Sequence, residues 1–260
     1  MPYFTIEGRA YHYRDVGRGR PLLLLHGFPL TGASFWPQLD APPKGTRLIV
    51  PDHRGFGQSA PGEGPTTMEA IASDALALLD ELKISQLAVG GVSMGGYASM
   101  ALLRLAPARV TRLVLVDTWC GAEDEAGKAR REATAQELEA KGMEPLVAAM
   151  MPRLLAPEAP DEVRRRVEAM MRAGNPKAAA AAARGMGLRG DQRELLSRFA
   201  GPALVVVGSL DPITPPERAR QMAGLIQGSR LLELEGAGHL ANLERPEAFN
   251  AALGEFLAFG

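Results

Sequence analysis

A chain of 260 residues, 46% apolar and 23% charged, has the make-up of a soluble globular protein and the length of one α/β domain carrying an insertion. The formal net charge of −1 offers no attraction to nucleic acid or to an anionic membrane, and the apolar runs are too short to cross a bilayer. Cys120 is the only cysteine, which excludes an intrachain disulfide, and Met1 to Ala10 lacks the basic start and apolar core of a secretory signal; both point to a cytoplasmic protein.

Two alternating segments, Tyr3 to Ile6 and Tyr11 to Asp15, predict an N-terminal hairpin. Apolar runs bounded by turn residues follow at Pro21–His26, Arg47–Asp52, Leu87–Val92, Val110–Asp117, Ala203–Gly208 and Arg230–Leu234. Runs apolar on both faces suit the buried strands of a mostly parallel sheet. Between them, Met68 to Leu82 has apolar residues at helical spacing and opens with Thr66 and Thr67, either of which can cap it. Ser93 to Leu105 predicts a second helix, halted before Pro107. Pro216 to Ile226 and Pro246 to Phe259 each begin with proline in the first turn, where its missing N–H costs nothing. From about Cys120 to Ala200 the alternation stops. This stretch predicts four or five helices and no strand, and it holds six of the eleven methionines: Met143, Met150, Met151, Met170, Met171 and Met186. The expected architecture is an α/β core formed by residues 1–119 and 201–260, with residues 120–200 inserted after the sixth strand as a helical cap.

The junction between the fifth strand and its helix carries G-x-S-x-G, with Gly91, Ser93 and Gly95. Such a turn holds serine on a strained backbone at the head of a helix, and only small neighbours two residues away avoid collision. Serine needs a base, and the base needs an orienting acid. Of the four histidines, only His239 lies in a glycine-rich loop after the last strand, Gly236-Ala-Gly-His-Leu, free to reach over the strand ends. The acid falls between serine and histidine in the chain. Asp211, closing the penultimate strand, is preferred because its strand neighbours the one that delivers His239; Asp117, closing the strand after the elbow helix, is the rival. Acyl transfer also needs two N–H donors for a developing oxyanion. Those of Met94 and Phe28 are the candidates, with Gly27 allowing the close approach and His26 bracing the loop.

His26-Gly-Phe-Pro, Asp52-His-Arg-Gly-Phe-Gly-Gln-Ser, Gly91-Val-Ser-Met-Gly-Gly, Gly208-Ser-Leu-Asp-Pro-Ile-Thr-Pro and Gly236-Ala-Gly-His-Leu resemble, in order and spacing, the α/β-hydrolase superfamily. The resemblance runs from about Tyr11 to Phe259 and is strongest to bacterial family V carboxylesterases and 3-oxoadipate enol-lactonases. It implies an eight-stranded sheet, no metal or organic cofactor, and a loop-shaping role for the Asp52 segment.

The leading expectation is a carboxylesterase for small to medium acyl esters, working through an acyl-enzyme on Ser93. Trp119, Met151 and Met171 are candidate pocket residues, since a Met-rich cap suits an adaptable apolar site. The alternative is an enol-lactonase with an anionic ring substrate, for which Arg153 is a candidate carboxylate partner. A non-catalytic binding protein on the same fold is the reading from another class, and intact Ser93, Asp211 and His239 argue against it. Partners are therefore small molecules; oligomeric state has no signature in the chain.

Overall fold

The structure, a computed structural model, describes residues 2–258. Eight strands, β1 (Tyr3–Ile6), β2 (Arg9–Gly17), β3 (Arg20–Leu25), β4 (Thr46–Pro51), β5 (Leu87–Val92), β6 (Val110–Val116), β7 (Ala203–Gly208) and β8 (Arg230–Leu234), form one sheet in the order β1-β2-β4-β3-β5-β6-β7-β8. β2 runs antiparallel to both β1 and β4, and every later pairing is parallel. The expected second hairpin strand is longer than its alternation indicated because β2 is bonded along both edges. All residues of β5 and β7 are buried, as expected for central strands covered on both faces. The register then decides where chemistry can gather. Leu25 lies opposite Gly91, Val92 opposite Val116, and Val116 opposite Val206, so the chain leaves β3, β5, β6 and β7 on one edge of the sheet.

The helices are α1 (Trp36–Asp40), α2 (Met68–Glu81), α3 (Met94–Leu105), α4 (Glu125–Lys141), α5 (Glu144–Leu154), α6 (Asp161–Arg172), α7 (Pro176–Gly187), α8 (Arg193–Ser197), α9 (Pro216–Leu225), α10 (Ala241–Glu244) and α11 (Pro246–Ala258). Thr67, not Thr66, caps α2, its hydroxyl accepting the Ala70 N–H. The predicted end of the last helix at Phe259 lies outside the described residues. The short helices α1 and α10 are too brief to produce a periodic pattern and were not expected.

Between β6 and β7 the described chain forms α4 to α8 and no strand. The Gln192 N–H donates to the Cys120 carbonyl at 2.8 Å, joining the two ends of this insertion. Alanines 178–180, 182 and 183 are buried along α7, which lets it lie close to α4, while Arg184 binds Glu132 and Glu139 at the rim. The Thr66 N–H donates to Ala181 at 2.9 Å, so α7 is also tied to the loop ahead of α2.

Candidate active site

Ser93 sits between β5 and α3 with φ 53° and ψ −113°, a left-handed conformation that a non-glycine residue adopts at a cost. The turn is held from several sides. Its N–H donates to Val116 O (2.9 Å), and its carbonyl accepts from Thr118 Oγ1 (2.8 Å) and the Gly96 N–H (2.9 Å). A Cβ on Gly91 would overlap the backbone of Gly95, and one on Gly95 would overlap the Leu25 carbonyl. Both glycines are therefore required by contact, and the turn presents Oγ at the first turn of α3, where backbone N–H groups favour negative charge.

His239 reaches this hydroxyl from the loop after β8. Ser93 Oγ and His239 Nε2 are 2.9 Å apart, and His239 Nδ1–H donates to Asp211 Oδ2 at 2.7 Å. With Nδ1 protonated against the carboxylate, Nε2 is left to accept the serine proton. Asp211 is itself immobilised. Its Oδ1 accepts the N–H groups of Ile213 (2.7 Å) and Thr214 (3.0 Å), and its Oδ2 also accepts Thr214 Oγ1–H (2.6 Å). Burial works against the charge of Asp211, but His239 and these bonds overcome it and hold the carboxyl below its usual range. Burial likewise disfavours the imidazolium of His239, yet the charge and hydrogen bond of Asp211 raise its pKa above the usual value.

Asp117 is buried completely at φ 44° and does not touch His239 Nδ1. Its Oδ1 accepts the Gly208 N–H (2.9 Å) and its Oδ2 the Ala241 N–H (3.0 Å), so it bridges the strand leading to Asp211 and the loop bearing His239. Burial and the nearby charge of Asp211 push its pKa up to about 7. Thr214 and the bridging role of Asp117 were not anticipated. The signal for Thr214 was present in Asp211-Pro-Ile-Thr, where an aspartate is followed at turn spacing by a hydroxyl residue.

The loop after β3 lies against the elbow: a Cβ on Gly27 would stand 3.6 Å from that of Ser93. No acceptor is found among the described residues for the backbone N–H of Phe28 or Met94. His26 donates from Nδ1 to Gly27 O (3.0 Å) and accepts at Nε2 the N–H of His53 (3.0 Å), whose Nε2–H returns to His26 O at 3.1 Å. The two rings stack with centroids 3.7 Å apart. Burial pushes the pKa of His26 down to about 3, and burial together with the neighbouring His26 holds that of His53 well below its usual value, so the brace is a neutral pair. Behind it, Asp52 accepts from Gly32 N–H, Gln58 N–H, Arg14 and His12, shaping the same loop.

The candidate cap residues divide. Met151 is half-buried and Arg153 exposed, and the Arg153 charge is felt at His239, where it opposes the imidazolium. Trp119 is half-buried beneath the Arg218 guanidinium, 5.6 Å from the ring centre. Met171 is fully buried with Val163 and Val167 on one face of α6, and its neighbour Met170 is the one that meets the loop after β3, its sulfur 3.3 Å from Thr31 N. Among the described residues no group of His, Cys, Asp and Glu is arranged to hold a metal ion, and no helix is long and apolar enough to cross a membrane.

A family model described as alpha/beta hydrolase fold matches residues 20–246. The chain belongs to the α/β-hydrolase family. This hydrolase is 29% identical over 265 residues to 3-oxoadipate enol-lactonase 2 of Acinetobacter baylyi, the match covering 97% of each chain. Among solved structures it is similar to a thermophilic esterase from Thermogutta terrifontis in a malate-bound form, with a TM-score of 0.92, 35% identity, and coverage of 98% of this chain and 96% of that one. It is also similar to the enol-lactonase of Burkholderia xenovorans LB400, with a TM-score of 0.88, 30% identity, and coverage of 99% and 100%. The hydrolase thus has esterase and lactonase relatives along nearly its whole length.

Proposed function

We propose that the hydrolase cleaves carboxylic esters of small to medium acyl chains through an acyl-enzyme intermediate. The observation that carries this is the unbroken line from Ser93 Oγ through His239 to Asp211, with links of 2.9 and 2.7 Å. Ser93 attacks the ester carbonyl as His239 Nε2 takes its proton. The tetrahedral oxyanion is received by the N–H groups of Phe28 and Met94. His239 then returns the proton to the departing alkoxide, and a water activated by the same nitrogen releases the acid from Ser93. Asp211 keeps the productive tautomer and stabilises the imidazolium formed on the way. Residues 120–200 act as a cap, with the half-buried Met150, Met151 and Met170 as an adaptable apolar wall.

A second reading is an enol-lactonase acting on an anionic ring. It is favoured by Arg153, whose charge reaches the imidazole and which forms no ion pair among the described residues. One panel separates the two: esters of rising acyl length beside an anionic enol-lactone, for wild type, Ser93→Ala and Arg153→Met. Ser93→Ala is expected to lose about 10⁴-fold or more in turnover on every substrate with its fold intact. Retention of about a tenth of wild-type rate, far above that residual, would end the serine assignment, whereas a wild type inert on every substrate of the panel would leave a binding protein as the better reading. A lactone preferred over every ester, and lost selectively in Arg153→Met, would favour the second reading.

A further inference from the structure

Glu244 lies five residues after His239, is 3% exposed, and forms no ion pair among the described residues. Its oxygens are both in use. Oε1 accepts the N–H of Gly238 at 2.9 Å, and Oε2 accepts the N–H of Ala156 at 2.8 Å. Gly238 immediately precedes the imidazole, whereas Ala156 belongs to the insertion, just past the end of α5. Between these two bonds the His239 N–H donates to Leu154 O at 3.0 Å. The two backbones run in contact here: a Cβ on Gly238 would stand 2.6 Å from Ala156 N and 2.9 Å from Leu155 C. Glu244 therefore closes a seam between the insertion and the His239 loop. A carboxylate suits that place because one compact group must accept from N–H donors on two separate segments, and buried N–H groups without acceptors are costly.

We propose that Glu244 is a positioning residue for His239, fixing the imidazole's backbone to residues 154–156 so that this part of the insertion is a static wall of the site and not a moving lid. The inference rests on the Ser93–His239–Asp211 reading above. The opposite side of the loop is held by Asp117 through Ala241, so His239 stands between two anchors, one from the core and one that reaches the insertion. Loss of the second anchor lets the imidazole shift relative to Ser93, and small misplacements of reacting groups are expensive.

Glu244→Gln keeps the volume but offers one oxygen, so its amide NH₂ must face one of the two N–H donors. The test is the rate at which a fluorophosphonate labels Ser93, which needs His239 as base, together with the far-downfield proton signal of His239 Nδ1–H. Labelling is expected to slow by about 10- to 100-fold, with the Nδ1–H signal shifted or broadened and KM for short esters little changed. A rate within about twofold of wild type and an unmoved signal would overturn the proposal, since a hundredfold loss is the scale of a misplaced base. Should Glu244→Gln fail to fold, Gly238→Ala tests the same seam by pressing a methyl group on Ala156, Leu155 and, at 3.1 Å, Glu244 Oε1, and it is expected to show the same slowing and signal change. His239→Ala separates the two ideas. If it labels at the wild-type rate, the triad reading falls and this proposal with it; if it is inert while Glu244→Gln behaves as wild type, only this proposal falls.

Discussion

Replacing Asp211 by asparagine tests the assignment of the acid, because the structure specifies what each atom would do. The asparagine oxygen can keep the Ile213 and Thr214 N–H bonds now made by Oδ1, at 2.7 and 3.0 Å. Its NH₂ then faces His239 Nδ1, 2.7 Å from the present Oδ2, and must donate to it. That moves the imidazole proton to Nε2, the atom that has to accept from Ser93 Oγ. The loop keeps its backbone bonds while the base is lost. The expected fall in turnover is about 10⁴-fold, or about 5.4 kcal/mol of activation free energy, with little change in Tm. Asp117→Asn differs in kind. It leaves either the Gly208 or the Ala241 N–H without an acceptor, costing about 1–3 kcal/mol of stability, but the His239 tautomer is untouched and turnover should fall by no more than about tenfold. The assay is kcat on a short p-nitrophenyl ester with active-site titration, beside thermal unfolding by circular dichroism. Equal losses of turnover, or the greater loss in Asp117→Asn, would refute the assignment of the acid.

The pKa of His239 is raised, and the proposed mechanism uses its neutral form, so kcat/KM should fall as pH drops through an acid limb lying above the usual histidine value of 6.5; Asp117 contributes to that rise, and Asp117→Asn should move the limb to lower pH. For stability the sign is set by Asp117, which holds its proton up to about 7 when folded against 3.8 as a free side chain. Its contribution is full at low pH and is lost as pH rises through about 7, so the wild-type Tm should decline relative to that of Asp117→Asn across this range. Gly95→Ala would drive a methyl group into the Leu25 carbonyl, backbone that cannot rotate away, and should cost about 3 kcal/mol or more of stability along with most activity, read by urea unfolding and ester hydrolysis. Substituting Met151 or Met170 by alanine or phenylalanine should shift the acyl-length profile of kcat/KM; changes confined to Tm would place the acyl pocket elsewhere.

Much of this molecule was legible in the chain because its signals are local. Buried parallel strands must be apolar on both faces, so β3, β5, β6 and β7 announced themselves within a residue or so of their ends. The elbow was equally readable, since contact alone demands glycine at 91 and 95 whatever lies beyond. Even the order of serine, acid and histidine is a property of the chain. What depended on tertiary structure was every relation between residues whose separation is set by the sheet register. Asp117 and Asp211 look alike in sequence, each closing an apolar strand, and only the placement of the His239 loop puts one against Nδ1 and gives the other to two backbone N–H groups. Met170 and Met171 are adjacent, but one helical step turns the first toward Thr31 and buries the second. Glu244 carried no signal at all, because a carboxylate at the start of an exposed-looking Arg-Pro-Glu stretch reads as surface until the insertion folds back and covers it. Local propensity and sterics act within a few residues and leave their mark on the sequence, whereas hydrogen bonds between distant loops exist only after the sheet has brought those loops to one edge.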